Sequence, residues 1–132
     1  MSDGDRLAAF APGSHAIVAH GGGGFAFAGM RHQGSILTTP RGVRPLEAES
    51  VDELNERTLA PVFAELAEAP GSIEFLVIGA GEHMARLPEG LKAALRATGV
   101  RFEAMATGPA LRVYNVMQAE DRRVAAALIA VR

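Results

Sequence analysis

The stretch Ile73-Glu74-Phe75-Leu76-Val77-Ile78-Gly79-Ala80-Gly81 is followed by Pro88, by Gly99 and by a second run, Arg101-Phe102-Glu103-Ala104-Met105. An apolar run this short, bounded by glycines, predicts a central strand over 73–78 covered on both faces. Pro88 opens a helix and Gly99 closes it. Proline suits the first turn, where its missing N–H is not needed, and glycine accepts the left-handed backbone beyond the last turn. Leu91, Ala94 and Leu95 give that helix its apolar stripe. A strand over 101–105 follows, and a strand, helix, strand order predicts parallel pairing.

Working outward, Thr107 is a good N-cap and Pro109 a good first-turn residue for a third helix reaching about Ala119. Leu111, Tyr114 and Met117 or Gln118 face its core side, and 124–131 reads as a last strand. Upstream, Ser50 and Glu53 have capping-box spacing, and a second helix starts at Pro61 and runs to about Glu68, stopped by Pro70-Gly71. Before residue 40 the apolar period is two. Phe25 and Phe27 lie on one face, Ala26 and Ala28 on the other, and 17–39 reads as a β-hairpin turning at Gly29, with a second turn at Pro40-Arg41-Gly42. The order ββαβαβαβ is an α/β fold. A flexible N-terminal segment over 1–14 and a single domain over 15–132 complete the expected organisation.

With 132 residues, 48% hydrophobic and 21% charged, the chain has the length and composition of one globular domain. It has no cysteine, which excludes a disulfide scaffold, a thiolate nucleophile and cysteine metal sites. A net charge of −2 is not that of a nucleic-acid binder. The apolar run ending at Gly81 is far shorter than a membrane helix. Asp3 and Asp5 stand where a signal peptide would carry basic residues, so a cytoplasmic protein is expected.

Complete catalytic motifs are absent from the sequence. Gly79-Ala80-Gly81 follows a strand, yet Met84 replaces the third glycine of a dinucleotide fingerprint and Ala106 stands where a ribose-binding acid belongs. His20-Gly21-Gly22-Gly23-Gly24 resembles an oxyanion loop, but none of the five serines lies in Gly-x-Ser-x-Gly, so a glycine-rich lead into the hairpin is the plainer reading. His15, His20, His32 and His83 form no metal-spaced pair. The only lysine, Lys92, sits in a helix and in no phosphate loop. No metal and no cofactor are expected. Glu120-Asp121-Arg122-Arg123 reads as a solvated turn.

One constellation is suggestive. If strands 73–78 and 101–105 are parallel neighbours, both following loops leave the same sheet edge, where open α/β sheets collect ligands. Gly79, Ala80, Gly81, Thr107 and Gly108 would offer backbone amides there, Arg112 a positive charge and Asn115 a polar wall, together a candidate pocket for a small anion. The plainer alternatives are that Thr107 only caps, that Arg112 is solvated, and that Asn115 bonds a neighbouring loop.

Taken together, Phe75 to Gly81, Met105 to Val116 and Glu120 to Leu128, with Phe25, Phe27, Gly34-Ser35-Ile36-Leu37 and Pro40-Arg41-Gly42 in front, resemble the Mth-type domain family, small domains of unknown function. The resemblance implies a single three-layer α/β domain, with a central mixed sheet, helices against it and an N-terminal β-hairpin layer. Members often carry aspartate at the position of Ala106 and threonine at that of Val113, departures that weaken a catalytic reading. The family includes a mitochondrial complex I assembly factor. By resemblance, then, this chain is expected to be a non-enzymatic interaction or assembly domain with a protein partner, a membrane or respiratory complex being the class of partner the resemblance implies. An anion-binding protein or enzyme at the glycine loops is the alternative.

Overall fold

The computed structural model describes residues 11–132. A six-stranded mixed sheet runs in the order β1 (Ala11–Pro12), β6 (Gly42–Pro45), β5 (Ile36–Thr39), β9 (Val124–Leu128), β7 (Phe75–Gly79), β8 (Arg101–Met105). A smaller antiparallel sheet holds β2 (Ile17–Gly21), β3 (Gly24–Phe27) and β4 (Met30–Gln33). The helices are α1 (Ala60–Glu68), α2 (Glu89–Thr98) and α3 (Thr107–Ala119).

The strand, helix, strand unit forms as its sequence predicts. β7 pairs in parallel with β8 and with β9, and Leu76, Val77 and Ile78 are buried on both faces. Gly99 ends α2 at φ 82, the left-handed conformation that a side chain would resist. Alternate residues feed two cores. Leu37, Leu76, Ile78, Ala125 and Ala127 face α1 and α2 through Val62, Leu66, Leu91 and Leu95. Ile36, Val77, Val124, Ala126 and Leu128 face α3 and the small sheet through Leu111, Tyr114, Ile17, Phe25 and Phe27. The molecule is therefore the expected three-layer α/β structure, with the mixed sheet in the middle.

The front end differs from one hairpin over 17–39. It is a three-stranded meander whose two tight turns are Gly22-Gly23 and Ala28-Gly29, all four residues at positive φ, as the right-handed twist of paired strands demands. The run of four glycines is thus a turn with a strand residue on either side. β5 leaves the meander, because Ile36 and Leu37 are buried on opposite faces and belong between two layers. The 1–14 segment also differs in part. Positions 1–10 lie outside the described residues, but Ala11 and Pro12 pair with Val43 and Gly42, and Ala11 is buried. Ser50 and Glu53 do form a cap, of a single 3-10 turn at Val51–Glu53, with the Glu53 carboxylate accepting from the Glu49 and Ser50 amides.

The charged run closes the turn from α3 into β9. Arg122 and Arg123 both pair with Glu74, and the Arg123 amide together with these cations holds the Glu74 carboxyl below its ordinary range.

α3 fastens the front sheet to the main one. The Tyr114 hydroxyl donates to the His15 carbonyl at 2.7 Å and accepts from Thr38 at 3.1 Å, and burial raises its pKa. The Asn115 side chain accepts from the Ile17 amide and donates to the Ile17 carbonyl, both at 2.8 Å, as a neighbouring strand would. Tyr114 is 1% exposed. Tyr114→Ala is expected to lower unfolding stability by about 3 to 5 kcal/mol, measured by chemical denaturation, with Tyr114→Phe losing less because the ring still fills the core.

Candidate functional site

The parallel strands β7, β8 and β9 place their carboxyl ends, and the loops that follow, on one side of the sheet. The loops of Gly79, Ala80, Gly81 and of Thr107, Gly108 do meet there, but the space between them is filled. A Cβ on Gly79 would lie 2.9 Å from both Cα and Oγ1 of Thr107, so glycine is required for this approach. Thr107 is not the N-cap. It is the first residue of α3, fully buried, and its hydroxyl donates to the Ile129 carbonyl at 2.7 Å while accepting from the Gly81 amide at 3.0 Å. Its own amide donates to Gly81, and the Ala80 amide donates to Met105. The Ala80, Gly81 and Thr107 N–H groups, expected to be open to an anion, thus donate to Met105, Thr107 and Gly81 within the protein.

What remains of that constellation is on the outside. Gly108 lies beside the His20 ring, whose Nε2 would be 3.6 Å from a Cβ placed there, and that ring stacks on Phe25. Arg112 is exposed one turn along and makes no ion pair among the described residues. Asn115 belongs to the Ile17 pairing, the plainer of its two readings.

Open space at this end lies nearer β5 and β6. Three clefts of about 510, 370 and 310 Å³ share walls. The first two both use Gln33, Gly34, Ser35 and Glu49; the second and third both use Glu49 and residues 130–132. Ala80 and Gly81 border the third, so part of the glycine loop does line a cavity. Buried Ser35 positions the chain between the clefts, its hydroxyl accepting from the Ala130 amide and its carbonyl from the Leu46 amide. The walls carry Glu47, Glu49, Glu53 and Glu82, against Arg132 and the half-buried His32, whose pKa burial lowers. Acidic side chains outnumber basic ones on these walls, a composition that favours cations there. The closely spaced acids Glu47, Glu49 and Glu53 were the available signal for it, and nothing in the sequence links them to Glu82.

Among the described residues no group of histidine and acidic side chains is arranged to hold a metal ion. Thr107→Val removes the shared hydroxyl and leaves the Ile129 carbonyl and Gly81 amide without it. The expected loss is about 2 to 4 kcal/mol of stability, with Thr107→Ser close to wild type, both read by thermal and chemical unfolding.

Comparison with known proteins places this geometry among relatives. A family model described as a protein of unknown function (DUF498/DUF598) matches residues 17–129. An uncharacterised protein of Rhodobacter capsulatus is 37% identical over 117 residues, covering 89% of this chain and 86% of its own length. A crystal structure from Bartonella henselae, described as an outer membrane protein, is 40% identical at a TM-score of 0.80, covering 92% of this chain and 98% of that one. A solution structure from Bordetella pertussis, described as a Mth938-like domain, is 28% identical at a TM-score of 0.71, covering 86% and 84%. The resemblance carried by the strand and loop motifs is borne out: the chain belongs to the DUF498/DUF598 family, the Mth938-type domains of unknown function.

Proposed function

We propose that the domain is a non-enzymatic binding module that receives an extended, basic segment of a protein partner and serves the assembly of a larger complex in the cytoplasm. The observation that carries this reading is the joined groove at the carboxyl ends of the parallel strands, with Leu46, Ala48 and Ile129 among its apolar walls and Glu47, Glu49, Glu53 and Glu82 along it. An elongated groove with acidic walls suits a peptide with alternating apolar and basic side chains better than a compact metabolite. Family resemblance supplies the class of target, a respiratory or other membrane complex. No helix among the described residues is long and apolar enough to cross a membrane.

A second reading keeps the anion. Gly108, at the start of α3, and the exposed Arg112, which has no ion-pair partner among the described residues, could still hold a small anion on the outer side of the sealed loops, beside His20, with Gly79, Ala80, Gly81 and Thr107 as its supporting frame.

The first reading is tested by affinity capture with the wild-type chain and with Glu49→Lys/Glu82→Lys, followed by titration of peptides from the captured protein. Binding to a basic segment is expected to weaken about tenfold in the double variant, close to 1.4 kcal/mol, and to fall with salt. Equal affinity for both chains overturns it, and fractionation of the native protein checks the compartment. For the second reading, sulfate or phosphate should raise the melting temperature of the wild type and leave Arg112→Ala unmoved; no shift in either sinks it.

A further inference from the structure

Among the described residues β8 is an outer strand of the six-stranded sheet, paired on one side, with β7. Successive residues of a strand turn their backbone polar groups to opposite sides. The Met105 carbonyl accepts from Ala80, on the β7 side, so Arg101, Glu103 and Met105 point their N–H and C=O groups inward along the sheet. Phe102 and Ala104 therefore point theirs outward, where the described residues supply no partner strand. An edge of this kind is a template for another strand.

The side chains decide which strand. Arg101 and Glu103 are exposed, lie on the same face and have no ion-pair partner among the described residues. Phe102 and Ala104, on the other face, are partly buried against the core beneath α1 and α2. We infer that β8 pairs antiparallel with β8 of a second copy of this chain, about a two-fold axis through Phe102, joining the two central sheets into one.

That register follows from charge and face together. A two-fold axis perpendicular to the sheet keeps each face continuous only when it passes through a residue pair. Centred on Arg101 it sets arginine against arginine, and centred on Glu103 it sets glutamate against glutamate. With its centre on Ala104, it leaves Glu103 opposite Met105. Centred on Phe102, it places each Arg101 opposite the partner's Glu103, the cross-strand arrangement that opposite charges favour. The same register makes Phe102 and the partner's Phe102 a directly hydrogen-bonded pair, using the outward backbone groups already identified. The Ala104 amide then meets the partner's Val100 carbonyl, while the Val100 amide already donates to Thr98 Oγ1 at 3.2 Å.

The full chain in sedimentation equilibrium is expected to reach twice its 13.8 kDa mass as concentration rises. Glu103→Arg and Arg101→Glu each set like charges opposite and should weaken association about tenfold or more. Arg101→Glu combined with Glu103→Arg restores opposite charges and should restore the dimer. As these positions are exposed, the fold should survive, which circular dichroism checks. Independently of any variant, the wild-type Phe102 and Ala104 amides should be protected from hydrogen exchange at high concentration and exchange on dilution. A wild type monomeric up to its solubility limit, a dimer indifferent to both single changes, or a double variant that stays monomeric would each overturn the inference.

Discussion

β9 pairs in two directions at once, and the rest of the molecule is arranged around that constraint. On one side it runs antiparallel to β5, from the front of the chain, and on the other parallel to β7, from the back. All five of its residues are buried. Its central residues are Ala125, Ala126 and Ala127, small enough for layers to pack closely on both sides of the sheet. Larger side chains from the facing layers fill the room they leave. The sheet is mixed because this one strand joins an antiparallel half to a parallel half.

The constraint also locates the groove. β9 and β7 finish at the same level, and their loops are drawn together by Thr107, which bonds Gly81 and Ile129. That clasp closes the interval between β7 and β8. At this end of the antiparallel half Ser35 ties Ala130 to Leu46 through its hydroxyl and its carbonyl, and residues 130–132 and the segment carrying Glu47, Glu49 and Glu53 border the open groove around that link. The position follows the general rule for open α/β sheets, but the wall that carries the charge comes from the antiparallel half.

Much of this was legible in the sequence where local rules and tertiary demands agree. β8 falls on its expected residues, and α2 and α3 lie within a residue or so of theirs, because a proline near the start or a glycine at the end punctuates each apolar period. The split of the front end into a meander and β5 was not legible, since Ile36 and Leu37 continue a strand-like pattern whichever sheet they join. Thr107 was misread for a related reason. Threonine before a helix is usually a cap, and only the approach of Ile129, 22 positions later, turns its hydroxyl elsewhere. The sign of the groove's charge was hidden as well. Glu49 and Glu82 are brought together by folding, and sequence spacing carries no trace of it.

The pairing of Asn115 with Ile17 has a consequence for how the chain comes into being. These residues are 98 positions apart, and Tyr114 reaches His15 across 99. β5 likewise meets β9 across most of the domain's length. During synthesis the front half emerges first, yet its meander lacks the helix that borders β2, and β5 lacks one of its two neighbours. Local turns at Gly22-Gly23 and Ala28-Gly29 let the small hairpins form early, but their docking waits for the last strand to leave the ribosome. Closing so large a loop is slow relative to helix formation, so this small domain should be a late folder, dependent on its C-terminal residues for the order of its N-terminal ones.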